Sequence, residues 1–387
     1  MRDAVIVEAV RTPLGKRRGA LRNVHPVDLS AQVLKALVAR AGVQPARIDD
    51  VIWGCVMQVS EQAGNIGRNA VLAAGWPESV PATTVDRQCG SSQQSAHFAA
   101  AGVMAGQYDL VIAGGVESMT RVPMGSARGT GGSPWGEWVR ERYGVDGFNQ
   151  GIGAEMVAKR WNISREQVDQ ISLDSHRRAA EATDAGRFKK QIAPVQALDN
   201  EGNLTVFEVD EGIRRETSME KMAGLKPAFQ DDGVVTAGNS SQISDGAAAM
   251  LITTSEIAEQ LGLTPLARFH SFSLAGVDPV SMLTGPIPAT RKVLEKAGLK
   301  VDDIGAFEVN EAFAPIIDAW LTEIGAPWEK VNPNGGAIAL GHPLGGSGAR
   351  LMTTLVHHMV DNGIQYGLQT MCEGGGMANG TILELVR

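Results

Sequence analysis

The sequence predicts an α/β protein built from two repeated halves, with a long segment inserted into the first half. Apolar, strand-like runs alternate with helical patterns along the chain, which is typical of sheets covered by helices. The same order of elements occurs once in each half, and the last strand of the first half comes only after a long interruption. At 387 residues, the chain is long enough to form more than one hydrophobic core.

The first half opens with Ala4–Val10, an apolar run that predicts a buried strand. A helix is predicted from about Asp28 to Ala41, because Asp28 can cap its start and Gly42 can end it. A second strand is predicted at Ile48–Val56. The apolar face of the helix is formed by residues at helical spacing: Leu29, Val33, Leu34, Leu37 and Val38.

The second half repeats this order, beginning with a predicted strand at Ala267–Gly276. A helix follows near Pro288–Ala297 and ends at Gly298. The stretch Val301–Phe313 then matches the acidic pair and strand of the first half. Because helix, glycine, acidic pair and strand recur in the same order, we interpret the two halves as structural repeats.

The repeat continues to the end of each half and locates the insertion. "TTVDRQCGSS", a helix and "YDLVIAGGVESM" match "VNPNGGAIALGHPLGGSG", a helix and "YGLQTMCEGGGMANG". The last strand follows at once in the second half, at Thr381–Val386, whereas its counterpart in the first half is Ala247–Ser255. We therefore predict three regions: an N-terminal half of residues 1–118 plus 247–266, an inserted loop domain of residues 119–246, and a C-terminal half of residues 267–387.

The inserted segment carries its own local signals. Ser164 and Gln167 have the spacing of a capping box, which predicts a helix that runs to about Gly186. A run of charge on such a segment is usually only a solvated surface. The functional interpretation is that the segment forms a lid or a subdomain that docks a ligand. The positive charge in this segment is supplied by Arg214, Arg215, Lys221 and Lys226.

Composition and charge argue against several classes of function. The net charge of -8 is unlike that of a general nucleic-acid binder. No apolar run has the roughly 20 residues that a membrane span requires. Three cysteines, an odd number in a large chain, do not predict a disulfide framework. The acidic residues in the opening strand are unlike a signal peptide, so we expect a cytoplasmic protein.

The most unusual side chains lie where predicted strands end. Cys89 and His342 occupy corresponding strand-to-helix junctions in the two halves, and Asn310 and Cys372 end strands of the second half. Ligands of doubly wound sheets bind at the carboxyl ends of the strands. If the halves pack about a pseudo-twofold axis, these four residues meet in one cleft.

A thiol at the start of a helix has a chemical use. The positive end of the helix dipole and unpaired N–H groups favour thiolate, which predicts a lowered pKa for Cys89. A nearby histidine, such as His342 in its glycine-rich loop, can then remove the proton. A buried, inert cysteine is the structural alternative, and Cys55 in its strand fits that role. We expect packing or surface roles for the histidines in helical or strand-like runs: His97, His176, His270, His357 and His358.

Four strings in this order, "VDRQCGSSQQ", "VNEAFA", "NPNGGAIALGHPLGGSGAR" and "MCEGGG", resemble the thiolase family of acetyl-CoA acyltransferases and 3-ketoacyl-CoA thiolases. The similarity extends over essentially the whole chain, from "VIVEAVRTPLGK" to "MCEGGG". The resemblance implies two βαβαβαββ halves in five layers (αβαβα), with a loop domain inserted into the first half. This agrees with the repeats and the insertion inferred from the sequence pattern.

The resemblance also implies roles for individual residues. Cys89 is similar to the nucleophile that carries an acyl group as a thioester, and His342 to the residue that activates it. Cys372 is similar to the second thiol, which protonates the departing acetyl-CoA enolate. Asn310 resembles the residue that holds a water in an oxyanion site shared with His342. The backbone N–H groups of Cys89 and Gly374 would form the other oxyanion hole.

Coenzyme A is the implied co-substrate, and neither a permanently bound cofactor nor a metal is expected. Departures from the family pattern at Asn149-Gln150, Lys221 and Glu373 put a plain acetoacetyl-CoA substrate in doubt. The strings "DRQCGSSQQ", "MLTGPIPATR" and "MCEGGG" together most resemble actinobacterial thiolases that degrade bulky or steroid-derived acyl-CoAs. The residues expected to contact substrate or CoA across the inserted segment are Arg214, Ser241, Lys221, Asn149, Gln150 and Met282.

The resemblance implies CoA-dependent cleavage of a 3-ketoacyl-CoA into acetyl-CoA, or propionyl-CoA, and a shortened acyl-CoA. A biosynthetic acetyl-CoA C-acetyltransferase that runs the reverse condensation is the first alternative. A ketoacyl-synthase-type condensing enzyme is another alternative, but it does not need a thiol at Cys372. A non-catalytic acyl-CoA or sterol carrier is a further one, but it would not need Cys89. A nucleotide-binding oxidoreductase would place G-x-G-x-x-G after the first strand, and that motif is missing. Family members imply a homodimer or homotetramer, with a possible hydratase/dehydrogenase partner subunit.

Overall fold

A computed structural model describes residues 2–128, 132–199 and 201–386. Its strands are β1 (Val5–Arg11), β2 (Gly15–Lys16), β3 (Asp50–Gly54), β4 (Ala82–Val85), β5 (Leu110–Ser118), β6 (Val195–Leu198), β7 (Leu204–Phe207), β8 (Ser244–Thr253), β9 (Ala267–Gly276), β10 (Ala306–Val309), β11 (Tyr366–Glu373) and β12 (Met377–Leu385). Its α-helices are α1 (Pro26–Ala41), α2 (Ile66–Ala73), α3 (Ser91–Ala105), α4 (Glu137–Tyr143), α5 (Gln150–Arg160), α6 (Arg165–Asp184), α7 (Met219–Ala223), α8 (Ser255–Leu261), α9 (Pro286–Ala297), α10 (Ala314–Ile324), α11 (Ala337–Leu340) and α12 (Ser347–Asn362).

The main strands form two matching half-sheets. The first has the order β4-β3-β5-β8-β1 and the second the order β10-β11-β12-β9, and β1 pairs with β9 over two residues to join them. In each half a parallel pair (β3 with β5, β10 with β11) is followed by antiparallel pairs (β5-β8-β1, β11-β12-β9). The predicted repeat is therefore confirmed by strand order and direction.

Helices cover both half-sheets and separate them. Apolar residues of α1 and α2 pack on the outer face of the first half-sheet, and those of α9 and α10 on the outer face of the second. Between the half-sheets lies a core built from α3 and α12, in which small residues such as Ala96, Ala99 and Ala349 allow close approach. These layers are the αβαβα arrangement that the resemblance implied.

Several predicted boundaries move by a few residues. Helix α1 starts at Pro26 and is capped by the ring of His25, which accepts a hydrogen bond from the backbone of Val27 at 3.2 Å. The prediction of Asp28 as the cap was wrong, because Pro26 has a φ suited to the first helical position and moves the start forward. The capping box of α6 is confirmed, with reciprocal bonds between Ser164 and Gln167.

The residues between β5 and β8 hold helices α4 to α7 and the hairpin β6-β7. Buried polar contacts attach this segment to both halves. Arg11 of β1 forms a two-bond ion pair with Asp210 at 2.8 and 2.9 Å, and both side chains are almost fully buried. Glu311, just after β10, accepts a 2.6 Å hydrogen bond from Ser175 of α6. Such paired, buried charges fix the position of the segment against the sheets. Among the described residues, no helix is long and apolar enough to cross a membrane.

Candidate active site

Cys89 lies in the turn between β4 and the start of α3. The preceding residue, Gln88, has a φ of 49°, a conformation that costs energy for a side chain other than glycine. Hydrogen bonds hold the turn in this shape: the backbone N–H of Gln88 donates to Asp86 at 2.6 Å, and that of Arg87 donates to the hydroxyl of Ser91 at 2.9 Å. The turn directs the Cys89 thiol inward, where only 4% of the residue is exposed.

Three donors surround the Cys89 sulfur. The amide Nε2 of Gln150, at the start of α5, lies 3.9 Å from Sγ, and the backbone N–H groups of Gly374 and Cys89 also act on it. Burial nevertheless dominates and raises the pKa of Cys89 to about 11, and the charge of Glu373 acts in the same direction. The prediction of a lowered pKa was therefore wrong: the helix start supplies donors, but the thiol is too deeply buried to ionise unaided.

His342 lies in the loop between α11 and α12, with 3% of its surface exposed. Its Nδ1 is 2.6 Å from the hydroxyl of Ser347, which donates its own proton to the carbonyl of Pro343. The hydroxyl therefore accepts from Nδ1–H, and Nε2 is left as the basic nitrogen, 3.4 Å from Nδ2 of Asn310. Burial, aided by the charge of Arg350, lowers the pKa of His342 to about 3, so the imidazole is neutral at physiological pH.

Cys372 lies near the end of β11 and is fully buried. Burial raises its pKa well above the usual value, and the proximity of Cys89 raises it further. The backbone N–H of Asn310 donates to Thr370 at 3.1 Å, which brings the end of β10 against β11. Residues from five different segments form one apolar cluster around the nucleophile: Val56, Cys89, Met119, Leu344 and Met371. The structure thus brings all four residues singled out at the strand ends into one buried region.

Two family models match almost the whole chain. The model described as "Thiolase, N-terminal domain" matches residues 4–256, and "Thiolase, C-terminal domain" matches residues 263–385. The chain belongs to the thiolase family. It is accordingly an acyltransferase, with the fold and motif order that the resemblance implied.

Relatives of this thiolase match it from end to end. It is 51% identical to the steroid 3-ketoacyl-CoA thiolase FadA6 of Mycobacterium tuberculosis, over 99% of this chain and 94% of that protein. A 3-ketoacyl-CoA thiolase of Yersinia pestis is 48% identical over 99% of this chain and 100% of its own. The crystal structure of the Bacillus anthracis acetyl-CoA acetyltransferase superposes with a TM-score of 0.92 at 39% identity, covering 100% of this chain and 99% of that one.

The residues expected to contact CoA are placed in different environments. Gln150 contacts the nucleophile itself, whereas the side chain of its neighbour Asn149 caps α5 by accepting from Gly151 and Ile152. The amide oxygen of Asn149 is thereby already used, because an uncapped helix start would leave backbone N–H groups unpaired. Met282 is 1% exposed and lies in the hydrophobic core that also contains Cys372.

The other three expected contacts lie nearer the surface. Arg214 and Lys221 are exposed, and Lys221 donates to the carbonyl of Glu216. The backbone N–H of Arg214 donates to the ring of His176 at 3.0 Å, which positions the basic loop. Ser241 is half-buried, and its backbone N–H donates to Ala312 at 2.9 Å, beside the Asn310 loop.

Two residues that shape the site were not recognised in the sequence. Glu117 is fully buried, and its carboxylate accepts hydrogen bonds from the backbone of Val56, Met57 and Gly345. It therefore ties together two loops that flank Cys89. An acidic residue inside the apolar run "LVIAGGVES" was the available signal. Ser347, the partner of His342, had no signal beyond the spacing of "GHPLGGSG". Among the described residues, no group of three or more potential ligands could hold a metal ion.

Proposed function

We propose that this thiolase cleaves 3-ketoacyl-CoA substrates with free CoA, releasing acetyl-CoA, or propionyl-CoA, and an acyl-CoA shortened by the same unit. The single observation that carries this proposal is the pair of buried thiols: Cys89 lies close enough to Cys372 to raise its pKa, in one region with the neutral imidazole of His342. One thiol and one histidine suffice for hydrolysis or for acyl carriage. A second thiol supplies the additional proton transfer that cleavage of a carbon–carbon bond requires.

In the first half-reaction, Nε2 of His342 takes the proton of Cys89, and the thiolate attacks the 3-keto carbon. The bond between C2 and C3 breaks, and its electron pair forms the enolate of acetyl-CoA. Cys372 gives this carbon a proton, and the remaining acyl group stays on Cys89 as a thioester. The low basicity of His342 and the high pKa of Cys89 mean that the proton moves only when the reacting carbonyl is in place.

In the second half-reaction, the Cys372 thiolate takes the proton of the CoA thiol, and the CoA sulfur attacks the Cys89 thioester. The shortened acyl-CoA leaves, and His342 returns its proton to the Cys89 sulfur, which restores both thiols. The backbone N–H groups of Cys89 and Gly374 stabilise the oxyanions that form on the acyl carbon. His342 and Asn310 stabilise the enolate oxygen. Their side chains meet at 3.4 Å, which supports this shared role.

The substrate class is inferred from the relatives and from the positions at which the sequence departs from the family pattern. A relative at 51% identity is named a steroid 3-ketoacyl-CoA thiolase. Together with the Asn149-Gln150 pair and Glu373, this supports a bulky, steroid-derived acyl group. We place CoA over the inserted segment, residues 119–246, where exposed cations such as Arg214 face solvent and match its phosphates. We also propose a cytoplasmic location and a homodimer or homotetramer.

The test uses a series of 3-ketoacyl-CoAs of increasing size, each incubated with CoA, with acetyl-CoA and propionyl-CoA release as the readout. We expect activity on steroid-derived substrates to exceed activity on acetoacetyl-CoA. Cys89→Ser should abolish thiolysis. Cys372→Ser should still form the acyl-enzyme from an acyl-CoA but should not exchange the C2 protons of acetyl-CoA. Retained thiolysis in Cys89→Ser would reject the mechanism.

A further inference from the structure

Glu373 directly follows Cys372 and is fully buried. Successive residues of a strand point to opposite faces, so its side chain points away from that of Cys372. The carboxyl group lies against the start of α3: a Cβ built on Gly90 would be 2.0 Å from Oε1 of Glu373. Since Gly90 follows Cys89, this carboxyl group lies beside the backbone of the nucleophile.

Within the described part of the chain, no donor reaches the carboxyl oxygens of Glu373 with full hydrogen-bond geometry, although the backbone N–H of Asn379 lies nearby. Among the described residues, neither oxygen of Glu373 has a partner, and Oδ1 of Asn379 has none either. The Cβ position built on Gly90 is also 2.5 Å from Oδ1 of Asn379, so this oxygen and Oε1 of Glu373 are neighbours. In the structure, Nδ2 of Asn379 lies 3.3 Å from Gln94 Oε1 and 3.2 Å from His97 Nδ1, which leaves Oδ1 on the side of Glu373. A proton held between two such buried acceptors would satisfy both of them.

Several charged or titratable groups face this carboxyl group. Arg87 is the cation that acts on this carboxyl group, but within the described part of the chain the two form no ion pair, and Nη1 of Arg87 instead meets the sulfur of Met377 at 3.9 Å. Burial raises the pKa of Glu373 to about 8, against the attraction of Arg87 and the nearby backbone N–H of Asn379. The remaining titratable groups around it are Asp86, His97, Cys89 and Cys372.

We propose that Glu373 is a positioning residue that acts through Cys89: it is held as the neutral acid, donates its proton to Oδ1 of Asn379, and so permits Cys89 to ionise. An ionised carboxylate at this place would oppose the thiolate and compete with it for the positive end of α3. The proposal rests on the proposed function only in taking Cys89 as the nucleophile. It predicts that Cys89 becomes harder to ionise once Glu373 loses its proton.

The experiment measures the rate of Cys89 alkylation by iodoacetamide from about pH 6 to about pH 10, in the full-length protein, with the three cysteines separated by peptide mass spectrometry. Glu373→Gln is the test variant, because its amide can still donate to Asn379 but carries no charge at any pH. Glu8→Gln is the matched control, since Glu8 is a half-buried carboxyl group of β1 whose oxygen accepts from its own neighbour Ala9. Thermal unfolding checks that each variant is folded.

We expect wild type and Glu373→Gln to react at equal rates below about pH 7 and to diverge above pH 8. At about pH 9.5 the variant should react roughly tenfold faster, since one pKa unit changes the thiolate fraction tenfold. If Glu373→Gln reacts faster than wild type by the same factor at every pH, Glu373 is always ionised and the proposal is overturned. Equal rates at every pH would overturn it as well.

Wild-type protein alone provides a second measurement if Glu373→Gln does not fold. Its alkylation rate should rise with pH in two stages, with a break where Glu373 ionises, and a single smooth titration would contradict the proposal. Alkylation reports only the ionisation of the thiol and needs no turnover. A protein that shows the divergence but cleaves no 3-ketoacyl-CoA would therefore reject the proposed function and leave the role of Glu373 standing.

Discussion

The amide nitrogen of Gln150 lies 3.9 Å from the sulfur of Cys89, so the inserted segment supplies a group that contacts the nucleophile of the first half. Its hydrogen bond lowers the pKa of Cys89 and partly offsets the cost of burial. Gln150 is the first residue of α5, and the cap formed by Asn149 fixes the position of this helix start. The insertion therefore shapes the chemistry of the site in addition to any role in CoA docking.

Removal of the Gln150 amide is expected to slow acylation of Cys89. In Gln150→Leu, we expect the rate constant for acyl-enzyme formation to fall by about tenfold to a hundredfold, because a hydrogen bond to a charged group contributes about 1.5–3 kcal/mol. Single-turnover kinetics with an acyl-CoA substrate measure this step directly.

A glutamine in the first turn of α6 provides the control. Gln167→Leu removes an amide that accepts from the backbone of Ser164, and it should lower the free energy of unfolding by about 1 kcal/mol while leaving the Cys89 acylation rate close to that of wild type. If Gln150→Leu acylates at the wild-type rate, or if Gln167→Leu slows acylation equally, then the contact with the sulfur has no catalytic effect.

The hydroxyl of Ser347 determines which nitrogen of His342 is basic. In Ser347→Ala, Nδ1–H loses its acceptor, so the proton either stays on Nδ1 as an unpaired buried donor or moves to Nε2 and removes the basic nitrogen. We expect kcat to fall by about tenfold to a hundredfold, with a smaller effect on the KM for CoA, since a lost buried hydrogen bond costs about 1–3 kcal/mol. Steady-state kinetics on a 3-ketoacyl-CoA check this split.

Ser172→Ala is the matched control for this substitution. Ser172 is also fully buried in a helix, and its hydroxyl donates to the carbonyl of Val168 four residues earlier, as Ser347 does to Pro343. Among the described residues its hydroxyl forms no hydrogen bond with an imidazole, so kcat should stay within about twofold of wild type if the loss in Ser347→Ala comes from the contact with His342. Equal losses in both variants would indicate a general packing effect.

The repeat explains how much of this arrangement could be predicted from the sequence. Strand and helix periodicity locate the matching halves, and the repeat places Cys89 and His342 at corresponding junctions. Strand β9 was predicted with the bounds that the structure has. These features depend on local pattern and short-range order, which a single sequence contains.

What could not be predicted depends on contacts between distant residues. Gln150 meets Cys89 across 61 positions of the chain, and no periodicity indicates that the start of α5 contacts the turn before α3. The pKa of Cys89 was predicted in the wrong direction, because the local helix start was visible and the depth of burial was not. Glu373 was recognised only as a departure from the family pattern, since its environment is built by Gly90 and Asn379 from other elements.

Acid should destabilise the protein through its buried histidines. Burial, reinforced by the charges of Arg87 and Lys296, lowers the pKa of His97 to about 3, so the folded state keeps this ring neutral where the unfolded chain, with a pKa of about 6.5, binds a proton. The stabilisation is complete above pH 6.5 and is lost as the pH falls towards 3, with a slope of at most about 1.4 kcal/mol per pH unit for one proton. In His97→Gln, urea denaturation at several pH values between 7 and 4 should show a shallower fall in the free energy of unfolding, by up to this slope. The exposed His270 supplies the control, since His270→Gln changes a ring that solvent contacts in both states. A fall as steep in His97→Gln as in wild type would contradict the assignment of His97 as a buried neutral ring.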